Sequence, residues 1–206
     1  MAAANVILTP VLEMASGQVS AIRNAVVEAV VAVASRELSL PESSLVVRDI
    51  RPYTDLAFGY NTDFMATVTS IDVWGAFKTS DTYVVDGTGG AFRDATVDND
   101  TMDDNKFIAI YGVRDGRVSI AGAEPHSAIQ DISLIRFNIG NAYKAVWDMS
   151  KVQCHKNAAA GITPSAILIP QRVPYQISCY LVTGGDEQYL QLMGVVVEPV
   201  GMTVSP

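Results

Sequence analysis

An acidic segment between residues 94 and 105 is the best candidate for ligand chemistry in this sequence. Asp98, Asp100 and Asp103 could offer several carboxylate oxygens from one loop, and calcium binds such oxygen ligands. The spacing does not match an EF-hand loop, because the turn glycine is missing and Ala109 stands where the bidentate glutamate would be. A solvated acidic loop is the simpler interpretation and calcium binding is the alternative. No other cofactor is expected.

Residues that could support nucleophilic catalysis are few. His126 and His155 are the two histidines, and Ser127 and Cys154 are their neighbours in the sequence. Adjacent residues on a strand point to opposite faces, so Cys154 and His155 are poorly placed to act as a dyad. No G-x-S-x-G, H-E-x-x-H or paired C-x-x-C motif occurs, and the glycine-rich segment 86–90 lacks the lysine of a phosphate-binding loop. These features predict a protein that is not an enzyme.

The balance of charged and apolar residues is unusual for a soluble domain. Charged residues make up 17% of the 206 residues and hydrophobic residues 49%, whereas soluble domains have roughly 25% charged residues. Because a monomer covers its surface largely with polar groups, this shortage of charge predicts that much of the surface contacts other protein. The net charge of -8 disfavours nucleic acid as a direct partner. No uncharged apolar run of about 18 residues occurs, so no membrane span is expected.

The first element that could form such a contact surface is a helix predicted over residues 18–38. Five apolar residues recur at spacings of three and four, which places them on one helical face: Val19, Ile22, Val26, Val30 and Val33. Ser16 is expected to cap the helix and Pro41 to prevent its continuation. Val27 and Val31 widen the apolar stripe beyond one contact face, so the helix is either sunk between a sheet and its neighbours or shared with another subunit. We predict that the five residues form an assembly interface. A strand over residues 25–34 is the alternative, because valines are weak helix formers.

The chain after Pro41 consists mainly of short strands separated by Gly, Pro and Asp. The most regular part is residues 175–182, which alternate in polarity, and residues 189–197 are expected to return beside them as a hairpin. Without alternating helices, this pattern favours a mainly β fold, an antiparallel β-sandwich or jelly-roll-like domain with an N-terminal helix.

The domain prediction has two parts. Residues 1–40 form an N-terminal arm and amphipathic helix, and residues 41–206 form the β-sandwich domain. Two small β subdomains divided near the acidic segment are the alternative.

In overall style the chain resembles the virion coat and decoration proteins of bacterial viruses. It shares a low charge, an N-terminal arm, short strands rich in Val, Thr and Ser, and an expected C-terminal hairpin over residues 175–197 that ends in an apolar tail over residues 202–206. The resemblance implies a jelly roll or related sandwich, self-association with lattice symmetry, and no catalysis. It places the protein in the virion, after synthesis in the host cytoplasm, with copies of itself and other virion proteins as partners. Shell-forming and decorating roles both stay open. The alternative function is a binding module for calcium-linked glycans or a host surface.

Overall fold

Two β-sheets and one long helix make up the described part of the chain. The structure is a computed structural model, and it describes residues 4–50, 83–85, 91–94, 100–115, 132–154, 160–181 and 188–201. The helices are α1 (Gln18–Leu38) and the short α2 (Ser150–Gln153), with single 3-10 turns at Val11–Glu13 and Glu42–Ser44. The strands are β1 (Ala4–Ile7), β2 (Thr9–Pro10), β3 (Leu45–Asp49), β4 (Tyr83–Val85), β5 (Ala91–Asp94), β6 (Asp100–Thr101), β7 (Phe107–Asp115), β8 (Ile132–Ile139), β9 (Ala142–Asp148), β10 (Ala160–Ile169), β11 (Pro174–Leu181) and β12 (Gln188–Pro199).

The strands form a mainly β sandwich, as predicted. The first sheet has the order β1-β9-β8-β11-β5, and β6 also pairs with β11. The second sheet has the order β2-β10-β7-β12-β3, and β4 also pairs with β12. Every described pairing is antiparallel except β1 with β9.

The pairing follows the nested pattern of a jelly roll. From β3 onward, leaving out the short β4 and β6, the first strand pairs with the last and the second with the second-last, as β3 with β12 and β5 with β11. Inside these, β7 pairs with β10 and β8 with β9. A long antiparallel hairpin rolled into two sheets gives this order, which is the jelly-roll architecture.

Two apolar cores lie on either side of the second sheet. The sandwich core joins both sheets through residues such as Ile110, Ile135 and the fully buried Trp147. The other core joins α1 to the outer face of the second sheet, where Val30 and Val195 are buried. Strands β7 and β12 are covered on both faces, so buried apolar residues run continuously along them instead of alternating.

The predicted helix over residues 18–38 is confirmed and the alternative strand over residues 25–34 is wrong. The expected cap is also wrong: the residue before the helix is Gly17, in the left-handed conformation with φ of 84°, and no side chain caps the first turn. At the other end Ser39 takes a left-handed conformation, so the helix stops before Pro41.

The predicted C-terminal hairpin is wrong. Strand β11 pairs with β8 and β5 in the first sheet, whereas β12 pairs with β7 and β3 in the second sheet. The two strands follow one another along the chain, but the chain changes sheets between them. In a jelly roll, all strands except the innermost pair, here β8 and β9, find their partner across the roll instead of at the next turn.

The N-terminal segment is built into the sandwich. Strand β1 pairs in parallel with β9, β2 pairs with β10, and Leu8 between them is fully buried in the sandwich core. The described part of the predicted arm therefore contributes strands to both sheets of its own chain. The domain boundary at residue 40 stays a prediction.

Candidate functional site

The helix α1 lies on the outside of the second sheet and exposes one long side. Val26, Val30 and Ala34 turn inward and are at most 6% exposed. The opposite side carries seven exposed residues, which we call the outer face: Ala21, Asn24, Ala25, Glu28, Ala29, Ala32 and Arg36. The 3.6-residue period of the helix separates these two sides.

The five residues predicted as an assembly interface lie against the chain's own second sheet. Val26 and Val30 are buried there, and Val19, Ile22 and Val33 are partly buried around them. Their role in assembly stays a prediction. The outer face holds seven of the exposed residues of α1, and it was not predicted from the sequence. Its signal was present, because alanines at 21, 25, 29 and 32 recur at helical spacing opposite the valines.

An apolar groove runs along one flank of α1. It has a volume of about 240 Å³. Its lining includes six apolar residues from two elements: Ala25, Ala29 and Val33 from the helix, and Pro164, Ala166 and Leu168 from β10. No charged side chain lines it among the residues that the structure describes. The groove therefore extends the weakly polar surface of α1 from the outer face to the second sheet.

One ion pair links α1 to the second sheet, and another joins two strands of that sheet. Arg23 on α1 donates a hydrogen bond of 2.8 Å from Nη2 to Asp49 Oδ1 on β3, and this bond is the main cause that raises the pKa of Arg23. Arg48 on β3 donates a bond of 2.9 Å from Nε to Oε1 of Glu198 on β12, whose side chain is 8% exposed. Burial raises the pKa of Tyr111, which lies under α1. Of these contacts, the Arg23–Asp49 pair and the packing of Tyr111 join the helix to the sheet.

The three predicted calcium ligands do not form a described site. Asp98 lies outside the described residues, Asp100 begins β6 opposite Tyr175, and Asp103 forms an ion pair with Lys106. No group of three His, Cys, Asp or Glu residues suited to a metal ion occurs in the part of the chain that is described. Calcium binding stays a prediction.

Part of the acidic segment has a structural role instead. Asp104 accepts bonds of 2.7 and 3.1 Å from Nε and Nη2 of Arg172, and this contact lowers the pKa of Asp104. The backbone of Met102 accepts a bond from the Arg172 amide and donates one to Val173. The segment is thereby tied to the turn between β10 and β11.

The candidate catalytic residues do not form a described site. His126, Ser127, His155 and the segment 86–90 lie outside the described residues. Cys154 is exposed at the end of α2, whereas Cys179 is buried in the sandwich core, and the two do not form a disulfide.

Comparison with known proteins gives no family. No protein-family model and no curated protein matches the chain. A solved structure of the C-terminal CBM6 of LamC, a marine laminarinase from Zobellia galactanivorans, is similar at 10% identity with a TM-score of 0.25, covering 54% of this chain and 74% of that chain. A likeness of this size carries no argument about function.

The length of α1 also bears on the membrane prediction. The helix has 21 residues and a mean hydropathy of 1.2 in its most apolar part, enough to cross a membrane by length and composition alone. This is weak evidence, because a core helix of a soluble protein or an N-terminal signal sequence meets the same criteria. The expectation of no membrane span stays a prediction.

Proposed function

We propose that this protein is a structural subunit of a virion, in the capsid shell or as decoration on it, and that it acts by self-association without catalysis. The observation that carries the proposal is the outer face of α1. Only Glu28 and Arg36 are charged among its seven residues, whereas the outward face of a helix in a monomer is normally polar and charged. Contact with another subunit would remove this weakly polar face from water.

The amount of apolar surface left on α1 supports the same conclusion. Several of its larger apolar side chains, Val19, Val27 and Val31 among them, are only partly buried in the chain. Burial of apolar surface contributes roughly 25 cal/mol per Å², so a shared helix face and the adjoining groove can stabilise an assembly by several kcal/mol. Exposed apolar residues also occur outside α1, such as Leu12 at 63% and Ile7 at 55%.

The jelly-roll strand order is in keeping with a shell protein. Viral capsid domains and lectin domains both use this architecture, and a fold by itself does not determine function. The low charge and the outer face of α1 favour the capsid use over the lectin use. The partners in this proposal are copies of the same chain and other virion proteins, the location is the virion, and no direct contact with nucleic acid is needed.

The calcium-linked binding module has less support. Two carboxylates of the acidic segment, Asp103 and Asp104, are already paired with Lys106 and Arg172. A cation would have to displace these partners before it gained those ligands.

The test is the solution mass of the purified protein, measured by light scattering behind a sizing column, with negative-stain images of each peak. We expect a defined oligomer or closed particles. Ala29→Glu should shift the mass toward the monomer, whereas Ser20→Glu, at an exposed position of α1 outside the outer face, should not. A monomer at every concentration would contradict self-association.

A further inference from the structure

The two charges on the outer face of α1 have no partner within the described chain. Glu28 and Arg36 are both exposed, and neither forms an ion pair there, in contrast to Arg23, which binds Asp49. They are eight residues apart, or about 12 Å along the helix axis at 1.5 Å per residue. This separation is too long for a contact between them, and Ala32 lies midway.

From this spacing we infer that α1 packs antiparallel against α1 of a second copy, across a twofold axis at Ala32. Positions at equal distances on either side of the axis then face one another. Glu28 meets the partner's Arg36, and Arg36 meets the partner's Glu28. An isologous contact repeats every pair, so one arrangement satisfies all four charges. This inference rests on the proposed self-association and names the surface and register through which it occurs.

The charge pattern excludes the other simple arrangements of the two helices. In a parallel pair about a twofold axis, Glu28 would lie beside the partner's Glu28 and Arg36 beside the partner's Arg36, so like charges would repel. An antiparallel pair centred near the middle of the helix would again bring Glu28 beside its own copy. Only an axis close to Ala32 pairs both charges with opposite ones.

The residues around this axis suit a close helix contact. Ala25, Ala29 and Ala32 carry only a methyl group each, so the two helices can approach to the short end of the usual 8–10 Å axial spacing. The apolar groove borders Ala25 and Ala29, so the partner helix would also cover part of it. Antiparallel packing in addition places the opposite ends of the two helix dipoles together.

Charge reversal tests the pairing in the full chain. Glu28→Lys and Arg36→Glu alone each create two like-charge contacts, and we expect each to weaken association roughly tenfold. The double variant Glu28→Lys/Arg36→Glu restores opposite charges and should return within about threefold of the original constant. Glu37→Lys is the matched control for Glu28→Lys, because it makes the same change in net charge on an exposed position outside the outer face. Sedimentation equilibrium gives the constants, and a thermal melt followed by circular dichroism verifies folding.

Cysteine crosslinking tests the register independently. In a Cys154→Ser background, which removes the exposed native thiol, Ala32→Cys should form a disulfide-linked dimer on mild oxidation, since its two copies meet at the axis. Ala21→Cys should not, because its two copies would lie far apart along the helices.

Two outcomes separate this inference from the function proposed above. If the protein self-associates but the double variant is no better than the single ones, or Ala32→Cys does not crosslink, the register is overturned and self-association stands. If the protein is a monomer at every concentration, both fail.

Discussion

Arg23 on α1 and Asp49 on β3 are joined by an ion pair of 2.8 Å that links the helix to the edge of the second sheet. The Arg23 side chain is 38% exposed and the Asp49 side chain 75%. Solvent therefore screens the pair, and its contribution to stability is small even though it spans 26 positions in sequence.

Replacing Arg23 by alanine should lower the free energy of unfolding by about 0.5 kcal/mol, the size typical of exposed ion pairs. Arg36→Ala is the matched control, since Arg36 has the same chemistry on the same helix without an ion pair, and it should leave the stability of a dilute sample unchanged. Urea denaturation measures both. Equal effects of the two variants would show that the pair with Asp49 does not hold the helix.

Val30→Ala tests the core between α1 and the second sheet. Val30 is 2% exposed. The loss of two buried carbons, less the gain in helix propensity, should cost about 1 kcal/mol. Val31→Ala makes the same chemical change on the same helix at a partly buried position, so it should cost clearly less. A loss at Val31 as large as that at Val30 would contradict the packing described.

Alkaline pH should destabilise the protein through Tyr111. Burial raises its pKa above the ordinary value of 10.0, so the folded state favours the neutral phenol. This contribution is fully present below pH 10.0 and is lost as the pH rises through the higher folded pKa. The stability of Tyr111→Phe should therefore fall less between neutral and strongly alkaline pH, measured by urea denaturation at each pH. Tyr143→Phe, at a position that is 54% exposed, is the control. If its stability changed with pH in the same way as that of Tyr111→Phe, the alkaline loss of stability would not be due to Tyr111.

Calcium and chelator melts examine the acidic segment. If the segment is a solvated loop tied down by Arg172, the melting temperature should be the same with calcium and with EDTA. A rise with calcium that grows with its concentration would instead support the binding module, since a ligand of the native state stabilises it by mass action. Asp98→Asn should then remove the rise, and Asp148→Asn should not.

The local pattern of the sequence was sufficient for the helix and for the class of fold. The spacing of the apolar residues predicted a helix at α1, because burial of one helical face imposes a 3.6-residue period whatever lies beneath it. Short strands without alternating helices likewise predicted a sandwich, since sheets without crossover helices must pack on each other.

The local sequence pattern did not predict which strands pair with one another. The alternation of β11 predicted a strand with one buried face, but it does not say which strand lies beside it. The close approach of β7 and β12 at Gly194, where a Cβ would lie 2.6 Å from the Ala109 carbonyl oxygen, likewise depends on residues far apart in the chain.

Composition and periodicity were enough to predict that α1 forms, that the rest is mainly β, and that charge is scarce, because both act through each residue's own solvation and neighbours. The packing of α1 on the second sheet, which depends on the whole fold, places Val26 and Val30 in the chain's own core and leaves Ala25, Glu28, Ala29, Ala32 and Arg36 facing outward. The physical reason is that a helix apolar on two sides can bury either one. The second sheet packs against the side with the larger side chains, so the alanine side stays in contact with solvent.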